Sequence, residues 1–246
     1  MRCSPPQQGV KFQQVVQMNK NTFYKYKSLG NFEFVLDILL RERLYASKYR
    51  ELNDPMEGVI KVDGTIPDDL EEVWKNVLED LRVCCFTPDD SNILMWAHYA
   101  DGGRGCAIEF ELLESSEPVK VSYRNKPKVS KNQLTKDKAI EVLKYKDSSW
   151  KYEKEFRCIT SDIYIPIAVK KLILGPKVQS STVELLQGIL RCCKPELQVV
   201  QLKGRGDSVV ERVQMTVGSK RVYFRESEEC SKCLELGHYR EQFIHR

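Results

Sequence analysis

Residues 92–112 read NILMWAHYADGGRGCAIEFEL and contain the signals of a helix, a glycine turn and a strand in immediate succession. Ser91 or Asn92 is suited to cap the helix, because a short polar side chain accepts a hydrogen bond from a free backbone N–H of the first turn. The Gly102-Gly103 pair ends the helix, since glycine adopts the left-handed conformation common at helix C-termini. Side chains then alternate over residues 106–112, which predicts a strand.

Strands and helices are mixed on both sides of this stretch. Further strands are predicted at residues 23–27, 44–47, 83–86, 155–163, 169–174 and 197–202, with a last strand pair at 209–217 and 221–224. Further helices are predicted after Asn31, from Asp68, and at residues 136–145 and 182–193. The first of these should bury Phe34, Val35, Ile38 and Leu39, and the second Leu70, Val73, Trp74, Val77, Leu78 and Leu81. There is no regular strand–helix alternation and no Gly-rich phosphate loop, so we expect an α+β domain with a mixed, largely antiparallel sheet core and flanking helices.

The composition is that of an ordinary globular protein. Its 246 residues are 41% hydrophobic and 30% charged, which excludes disordered, collagen-like and disulfide-scaffold classes. We expect a flexible N-terminal segment (1–20), a main domain (21–203), and a C-terminal strand pair with a tail (204–246). No run reaches the roughly 18 apolar residues of a membrane helix, and residues 1–17 lack the apolar segment of a signal peptide. Nine cysteines, several in apolar runs, are compatible with a reducing compartment, so we expect a cytoplasmic protein without a membrane partner.

Charge is unevenly distributed although the net charge is only +4. Residues 120–151, which begin with Lys120 and end with Lys151, hold ten Lys or Arg against three acids. Tyr123, Tyr145 and Trp150 in this segment are suited to stack on bases beside phosphate-binding lysines. One hypothesis is therefore a non-catalytic sensor module that binds nucleic acid or protein here, and the alternative is a solvated basic surface.

The C-terminal tail contains a candidate zinc site. Cys230, Cys233 and His238 have the spacing of a zinc knuckle, but its final cysteine would fall on Phe243, so His245 would have to supply the fourth ligand. Four nitrogen and sulfur ligands suffice for tetrahedral zinc. The alternative is a helical tail without metal.

Four sequence clusters occur in a fixed order. They are FYKYKS at 23–28, LYAS at 44–47 leading to NDPME at 53–57, MWAHYA at 95–100 with GCAI at 105–108, and WKYEKEFR at 150–157. Together they resemble a large bacterial family of unknown function, domain-of-unknown-function family 2971, which often lies near phage-defence genes. The resemblance covers residues 24–202. This sequence has Lys27, Met56 and Ala97 where the family commonly has Arg, Phe and Ser, and the loss of Arg removes a forked guanidinium.

The order of the clusters has a more distant resemblance to ADP-ribosyltransferases. Those enzymes have a first strand ending in His or Arg, a second strand with Ser, Thr or Tyr, a helix with an aromatic-Ala pair before a Gly-led strand, and a late strand with Glu. The resemblance implies an ADP-ribosyltransferase-like fold and an NAD-dependent transferase or NAD glycohydrolase, acting as a toxin or phage-defence effector. NAD would be a substrate, and a macromolecule would be the acceptor.

The resemblance also implies roles for individual residues. Glu155 would be the catalytic carboxylate and Glu153 its partner. The cofactor site would be formed by Tyr26, Lys27, Ser47, Asn53 and Tyr99.

Cleavage of the nicotinamide–ribose bond builds positive charge on the ribose, and a fixed carboxylate stabilises that charge. If residues 153–157 form a strand, Glu153, Glu155 and Arg157 share one face. The alternative for this Glu-Lys-Glu sequence is a solvated edge strand.

Two further candidates have structural alternatives. His98 is suited to carry a proton, or else is a buried, hydrogen-bonded histidine. Asn53, Asp54 and Glu57 have metal-binding side chains, but Asn-Asp-Pro is also ordinary turn chemistry, which we favour over a metal site.

Overall fold

The computed structural model describes residues 22–62, 68–113, 117–124, 127–130, 133–205 and 209–214. The strands are β1 Thr22–Lys27, β2 Arg43–Tyr45, β3 Lys61–Val62, β4 Arg82–Phe86, β5 Cys106–Leu112, β6 Val119–Lys120, β7 Ser122–Tyr123, β8 Lys128–Val129, β9 Tyr145–Lys146, β10 Phe156–Thr160, β11 Tyr164–Leu174, β12 Gln198–Arg205 and β13 Val209–Gln214. The helices are α1 Phe32–Arg41, α2 Asp68–Glu79, α3 Ile93–Tyr99, α4 Lys136–Val142 and α5 Ser180–Cys193.

The main sheet has the strand order β1-β5-β11-β12-β13, and β2 pairs with β11. Its neighbours are antiparallel except β11 and β12, which are parallel. A parallel pair needs a crossover connection, and α5 supplies it. The predicted α+β class with a mixed, largely antiparallel sheet is therefore confirmed.

A second sheet, β4-β10-β6, lies beside the first strand of the main sheet. The two sheets are joined where Tyr24 N–H donates to Thr87 O at 2.7 Å and Thr87 N–H donates to Tyr24 O at 3.1 Å. Phenylalanine side chains fill the space between them: the ring centroids of Phe23 and Phe86 are 4.7 Å apart, and those of Phe23 and Phe156 are 5.3 Å apart. This aromatic packing fixes β1 relative to β4 and β10.

Helices cover the apolar faces of both sheets. Val35, Ile38 and Leu39 of α1 belong to the core between the sheets, as predicted, but Phe34 is 57% exposed. Successive residues are about 100° apart around a helix, so Phe34 lies beyond the edge of a narrow buried stripe. Val73 of α2 is likewise 47% exposed, while its neighbour Trp74 is buried.

The region predicted as a strand over 155–163 differs from the prediction at its start. Residues Ser148–Glu153 form a short 3-10 helix, which Asp147 caps by accepting a hydrogen bond from Ser149 N. Lys154 ends it with φ of 48°, and β10 begins only at Phe156. The prediction that a strand aligns Glu153 with Glu155 on one face is therefore wrong.

The main sheet continues through β12 and β13, which pair antiparallel. The N-terminal segment 1–20, the predicted strand at 221–224 and the candidate zinc ligands Cys230, Cys233, His238 and His245 lie outside the described residues. Among the described residues, no helix combines the length and apolar character needed to cross a membrane.

Candidate functional site

A cleft of about 300 Å³ lies between β1 on one side and the ends of β4 and β10 on the other. This volume is at the lower end of the range for small-molecule sites. Eight residues predicted from sequence line it together: Tyr26, Lys27, Ser47, Asn53, His98, Tyr99, Glu153 and Glu155. They come from five separated parts of the chain, so the order of the sequence clusters reflects one spatial site.

Two backbone features bring these parts together. Ser47 N–H donates to Val83 O at 3.0 Å, which ties the segment after β2 to β4. Gly105 allows the turn after α3 to approach β1: a Cβ atom at this position would lie 2.3 Å from Lys27 O and 2.8 Å from Ala100 Cα. No residue with a side chain fits here without moving backbone.

The carboxylates of Glu153 and Glu155 converge on one lysine. Lys146 Nζ donates to Glu153 Oε2 at 2.5 Å and to Glu155 Oε2 at 2.9 Å. All three side chains are buried, which rules out the solvated edge strand for this Glu-Lys-Glu sequence. The left-handed turn at Lys154 brings the two acids to the same lysine, and Lys154 itself reaches Asp89 at the surface.

Behind Glu155 lies a fully buried arginine. Arg157 donates to Glu155 Oε1 at 2.7 Å, to Leu143 O at 2.6 Å, and to both carboxylate oxygens of Glu57 at 2.5 and 2.9 Å. Glu57 is 100 residues away in sequence. This ion-pair network therefore contains the carboxylates of Glu57, Glu153 and Glu155 and the cations Lys146 and Arg157.

The two acids next to Lys146 have opposite pKa shifts. Burial alone raises the pKa of Glu155, but the charges of Arg157 and Lys146 outweigh burial and lower it to about 2. Burial also raises the pKa of Glu153, and there the opposing effects of Lys146 and Tyr99 do not outweigh it. A pair of acids whose pKa values are pushed apart is suited to divided roles, one group staying ionised while the other takes up and releases a proton.

Tyr99 positions the second acid. Its hydroxyl donates to Glu153 Oε1 at 2.5 Å, and burial together with this hydrogen bond raises the pKa of Tyr99, while a hydrogen bond with Asn53 acts in the opposite direction. With Lys146 on one oxygen and Tyr99 on the other, the Glu153 carboxylate has a fixed orientation. A charge-assisted hydrogen bond of this kind is stronger than one between neutral groups.

The wall formed by β1 carries two lysines. Lys25 Nζ donates to Cys85 O at 2.6 Å. Burial and the charge of Lys25 lower the pKa of Lys27 to about 8. Tyr26, between them, is only 5% exposed: its ring packs edge-on against Trp96 and its hydroxyl donates to Asp89 O. Tyr26 therefore mainly supports the wall.

The segment that contains Glu153 and Glu155 matches a known family model. Residues 95–158 match the family model described as "Protein of unknown function (DUF2971)". The match covers about a quarter of the chain, from α3 to the middle of β10. No curated protein and no solved structure matches the chain.

The DUF2971 segment contributes His98, Tyr99, Lys146, Glu153 and Glu155 to the cleft, whereas β1 and Ser47 lie outside it. His98 is exposed at the rim, with its ring centroid 5.9 Å from that of Tyr152, so it is not a buried structural histidine. Its position at the mouth leaves it accessible to a bound molecule.

Part of the basic segment belongs to the cleft rather than to an open surface. Lys146 is buried between the acids, with its Nζ 4.8 Å from the Trp150 ring centroid. Tyr123 Oη accepts a hydrogen bond from Glu155 N at 2.7 Å. Lys120 and Lys128 remain exposed. Composition alone cannot distinguish the buried Lys146 from the exposed Lys120 and Lys128, because composition does not show which lysines are buried.

The NDP turn is built by local hydrogen bonding. Asp54 Oδ1 accepts from Met56 N at 2.9 Å, and Glu57 is occupied by Arg157. In the described part of the chain, no group of three or more His, Cys, Asp or Glu side chains is placed to hold a metal ion. Glu57, Lys146 and Arg157 belong to the buried ion-pair network with the two acids, and sequence reasoning assigned that role to none of these three residues.

Proposed function

We propose that this protein cleaves the bond between nicotinamide and ribose in NAD, as an ADP-ribosyltransferase or NAD glycohydrolase. The observation that carries the proposal is the carboxyl pair on one lysine, Glu153 and Glu155 on Lys146, in a cleft whose opposite wall carries Lys25 and Lys27. Carboxylates are needed where positive charge develops, and lysines suit the diphosphate.

The residue roles follow from the electrostatics. Glu155 stays ionised at neutral pH and stabilises positive charge on the ribose as nicotinamide leaves with the bonding electron pair. Glu153, with its raised pKa, accepts a proton from the attacking water or acceptor hydroxyl. Tyr99 is a positioning residue that holds Glu153 through its hydroxyl.

The remaining cleft residues bind the substrate in this proposal. Lys25 and Lys27 face the diphosphate, Ser47 and Asn53 offer hydrogen bonds to the ribose and the nicotinamide amide, and His98 contacts the acceptor at the rim. The cleft accommodates the nicotinamide–ribose half, and the adenosine half extends beyond it. Free, buried thiols at Cys84, Cys106 and Cys158 suit a reducing cytoplasm, where a toxin or phage-defence effector would meet NAD.

The test is NAD turnover by purified protein, measured as nicotinamide release with and without cell extract. Glu153→Gln keeps the size of the side chain and its hydrogen bond from Tyr99 but removes the proton acceptor. We expect it to lower kcat by about 10²–10⁴-fold, the usual contribution of a general base. The thermal midpoint should move little, because Lys146 retains Glu155.

Lys154→Gln is the matched control, since Lys154 lies between the two acids in sequence but is exposed and pairs with Asp89. It should keep wild-type turnover. If wild-type protein neither binds nor consumes NAD under either condition, or if Glu153→Gln keeps full activity while remaining folded, the proposal is wrong. Salt-sensitive binding of nucleic acid without NAD turnover would instead favour the sensor module.

A further inference from the structure

Lys25 and Lys27 occupy positions where the fold calls for apolar side chains. In the antiparallel register of β1 and β5, Lys25 lies opposite Ile108 and Lys27 opposite Cys106. Residues opposite each other share a face of the sheet, and both partners on β5 are fully buried in the main core. The next residue on this face of β1 is the core residue Phe23. Both lysines therefore start from the core-facing side of the sheet.

The three lysines that line the cleft have different partners. Lys146 is held by two carboxylates, and Lys25 donates to the backbone of Cys85. Lys27, within the described residues, has no carboxylate within salt-bridge distance. Its titratable neighbours are Lys25 on its own strand and the thiols of Cys84 on β4 and Cys106 on β5.

In the described part of the chain, those neighbours give the Lys27 ammonium no counter-charge. Burial raises the pKa of Cys84, and raises that of Cys106 to about 12, so both thiols stay neutral. Lys27 is partly buried, and a cation that is partly removed from water without a counter-charge gives up its proton more readily. With a pKa of about 8, the share of neutral amine at pH 7 exceeds that of an ordinary lysine by on the order of 100-fold.

We infer that Lys27 is an amine nucleophile that forms an imine with an aldehyde or ketone bound in the cleft, and that the compound carries an anionic group recognised by Lys25. This activity is independent of NAD cleavage. Lys27 Nζ supplies the nucleophile. Lys25, two residues away on the same face of β1, supplies the positive charge that binds the anionic group. A desolvated lysine beside a second cation is a known arrangement for activating an amine.

The step balances without an oxidant or reductant. The nitrogen lone pair of Lys27 attacks the carbonyl carbon, the carbon–oxygen bond breaks, and a carbon–nitrogen double bond forms. One water molecule leaves, containing the carbonyl oxygen and the two amine protons. Glu153, whose pKa is raised by burial, is suited to take a proton from the attacking nitrogen and return it to the departing hydroxyl, whereas Glu155 stays ionised.

The experiment uses pyridoxal 5'-phosphate as an anionic aldehyde probe on the whole protein at pH 7. Borohydride then adds hydride to the imine carbon and fixes the adduct as a secondary amine, which peptide mass spectrometry locates. We expect Lys27 to be labelled at least about tenfold faster than the exposed Lys128, because Lys27 holds a larger share of neutral amine than an ordinary lysine. The rate should reach half its maximum near pH 8.

Four comparisons make the result decisive. Lys27→Arg keeps a cation but cannot form the imine, so the cleft adduct should disappear; Lys128→Met should leave it unchanged. Pyridoxal without the phosphate should label Lys27 more slowly, and Lys25→Gln should reduce this preference for phosphate. Labelling spread over surface lysines in wild-type protein, or an undiminished adduct in Lys27→Arg, would overturn the inference. NAD plays no part in this assay, so its outcome is separate from the test of NAD turnover.

Discussion

Replacing Arg157 with methionine removes the guanidinium that connects Glu57 to Glu155 inside the protein. The side chain is fully buried and donates to both acids and to Leu143 O. Methionine has a similar length and fits an apolar space, so the main effect is electrostatic. Glu155 keeps Lys146 at 2.9 Å, whereas Glu57 loses the partner that holds both of its oxygens.

The expected loss is large relative to the stability of a domain. Removing one partner of a buried ion pair costs about 3–5 kcal/mol, because the other charge is left buried and unpaired. The unsatisfied Leu143 carbonyl adds about 1 kcal/mol. The free energy of unfolding should therefore fall by about 4–6 kcal/mol at pH 7.5, and the thermal midpoint by roughly 10–20 °C for a chain of this size.

Two further measurements separate charge from packing. Adding Glu57→Gln to Arg157→Met should restore part of the loss, because the uncompensated charge is removed. Without Arg157, burial raises the pKa of Glu57 further above its unfolded value, so the stability of the variant should decrease as pH rises and recover as pH falls. The gap to wild type should therefore be smaller at pH 5 than at pH 8.

Urea unfolding followed by tryptophan fluorescence measures all of these values, since two of the three tryptophans, Trp74 and Trp96, are buried. Lys75→Met is the control: Lys75 pairs with Glu71 on the exposed side of α2, and its loss should not be measurable. A loss below about 1 kcal/mol for Arg157→Met, or a loss that neither pH nor Glu57→Gln changes, would refute the reasoning.

Two other predictions concern the β1 wall. The KM for NAD should rise as pH increases through about 8, because Lys27 loses the charge proposed to face the diphosphate, and Lys27→Arg should remove this increase. Steady-state kinetics between pH 6.5 and 9.5 measure both effects. A KM that does not change with pH in the wild-type protein would contradict the role of Lys27. Gly105→Ala should destabilise the protein by about 2–3 kcal/mol or more, since its Cβ would lie 2.3 Å from Lys27 O. Gly188→Ala, in α5 with nothing within 4 Å of the added Cβ, should instead stabilise the protein by about 0.5–1 kcal/mol. Thermal melts in which both variants shift the unfolding midpoint in the same direction would be incompatible with this packing.

Local patterns predicted the elements of this fold more reliably than the contacts between them. Asn92 caps α3 by accepting from Leu94 N, and the glycine turn leads into β5 as expected. Both features depend on residues close in sequence. The buried stripe of α1 was predicted too wide at Phe34, because periodicity shows a face but not how much of that face a neighbouring element covers.

The candidate site was predicted as a set of residues but not as a network. Order along the chain was enough to select residues that line one cleft. The alternation rule failed at Glu153, where a 3-10 helix and the left-handed Lys154 replace the strand. The pairing of Glu57 with Arg157 spans 100 residues and depends on the tertiary fold, so no local pattern indicates it.

The distribution of charge within the cleft bears on which ligand it fits. Glu153 and Glu155 form one end of the cleft, and Lys25 and Lys27 on β1 form the other end. Cys85 contacts both ends, because its backbone oxygen accepts a hydrogen bond from Lys25 and its thiol contacts Glu155. A uniformly charged ligand would be repelled at one end. A ligand with a cationic ring and an anionic diphosphate matches both ends, and this is the charge pattern of NAD at its nicotinamide half. A small anionic aldehyde binds at the lysine end, and Glu153 only assists the proton transfer. The two proposed activities therefore make different demands on the acids: Glu153→Gln should lower NAD turnover by about 10²–10⁴-fold while leaving imine formation at Lys27 measurable by borohydride trapping.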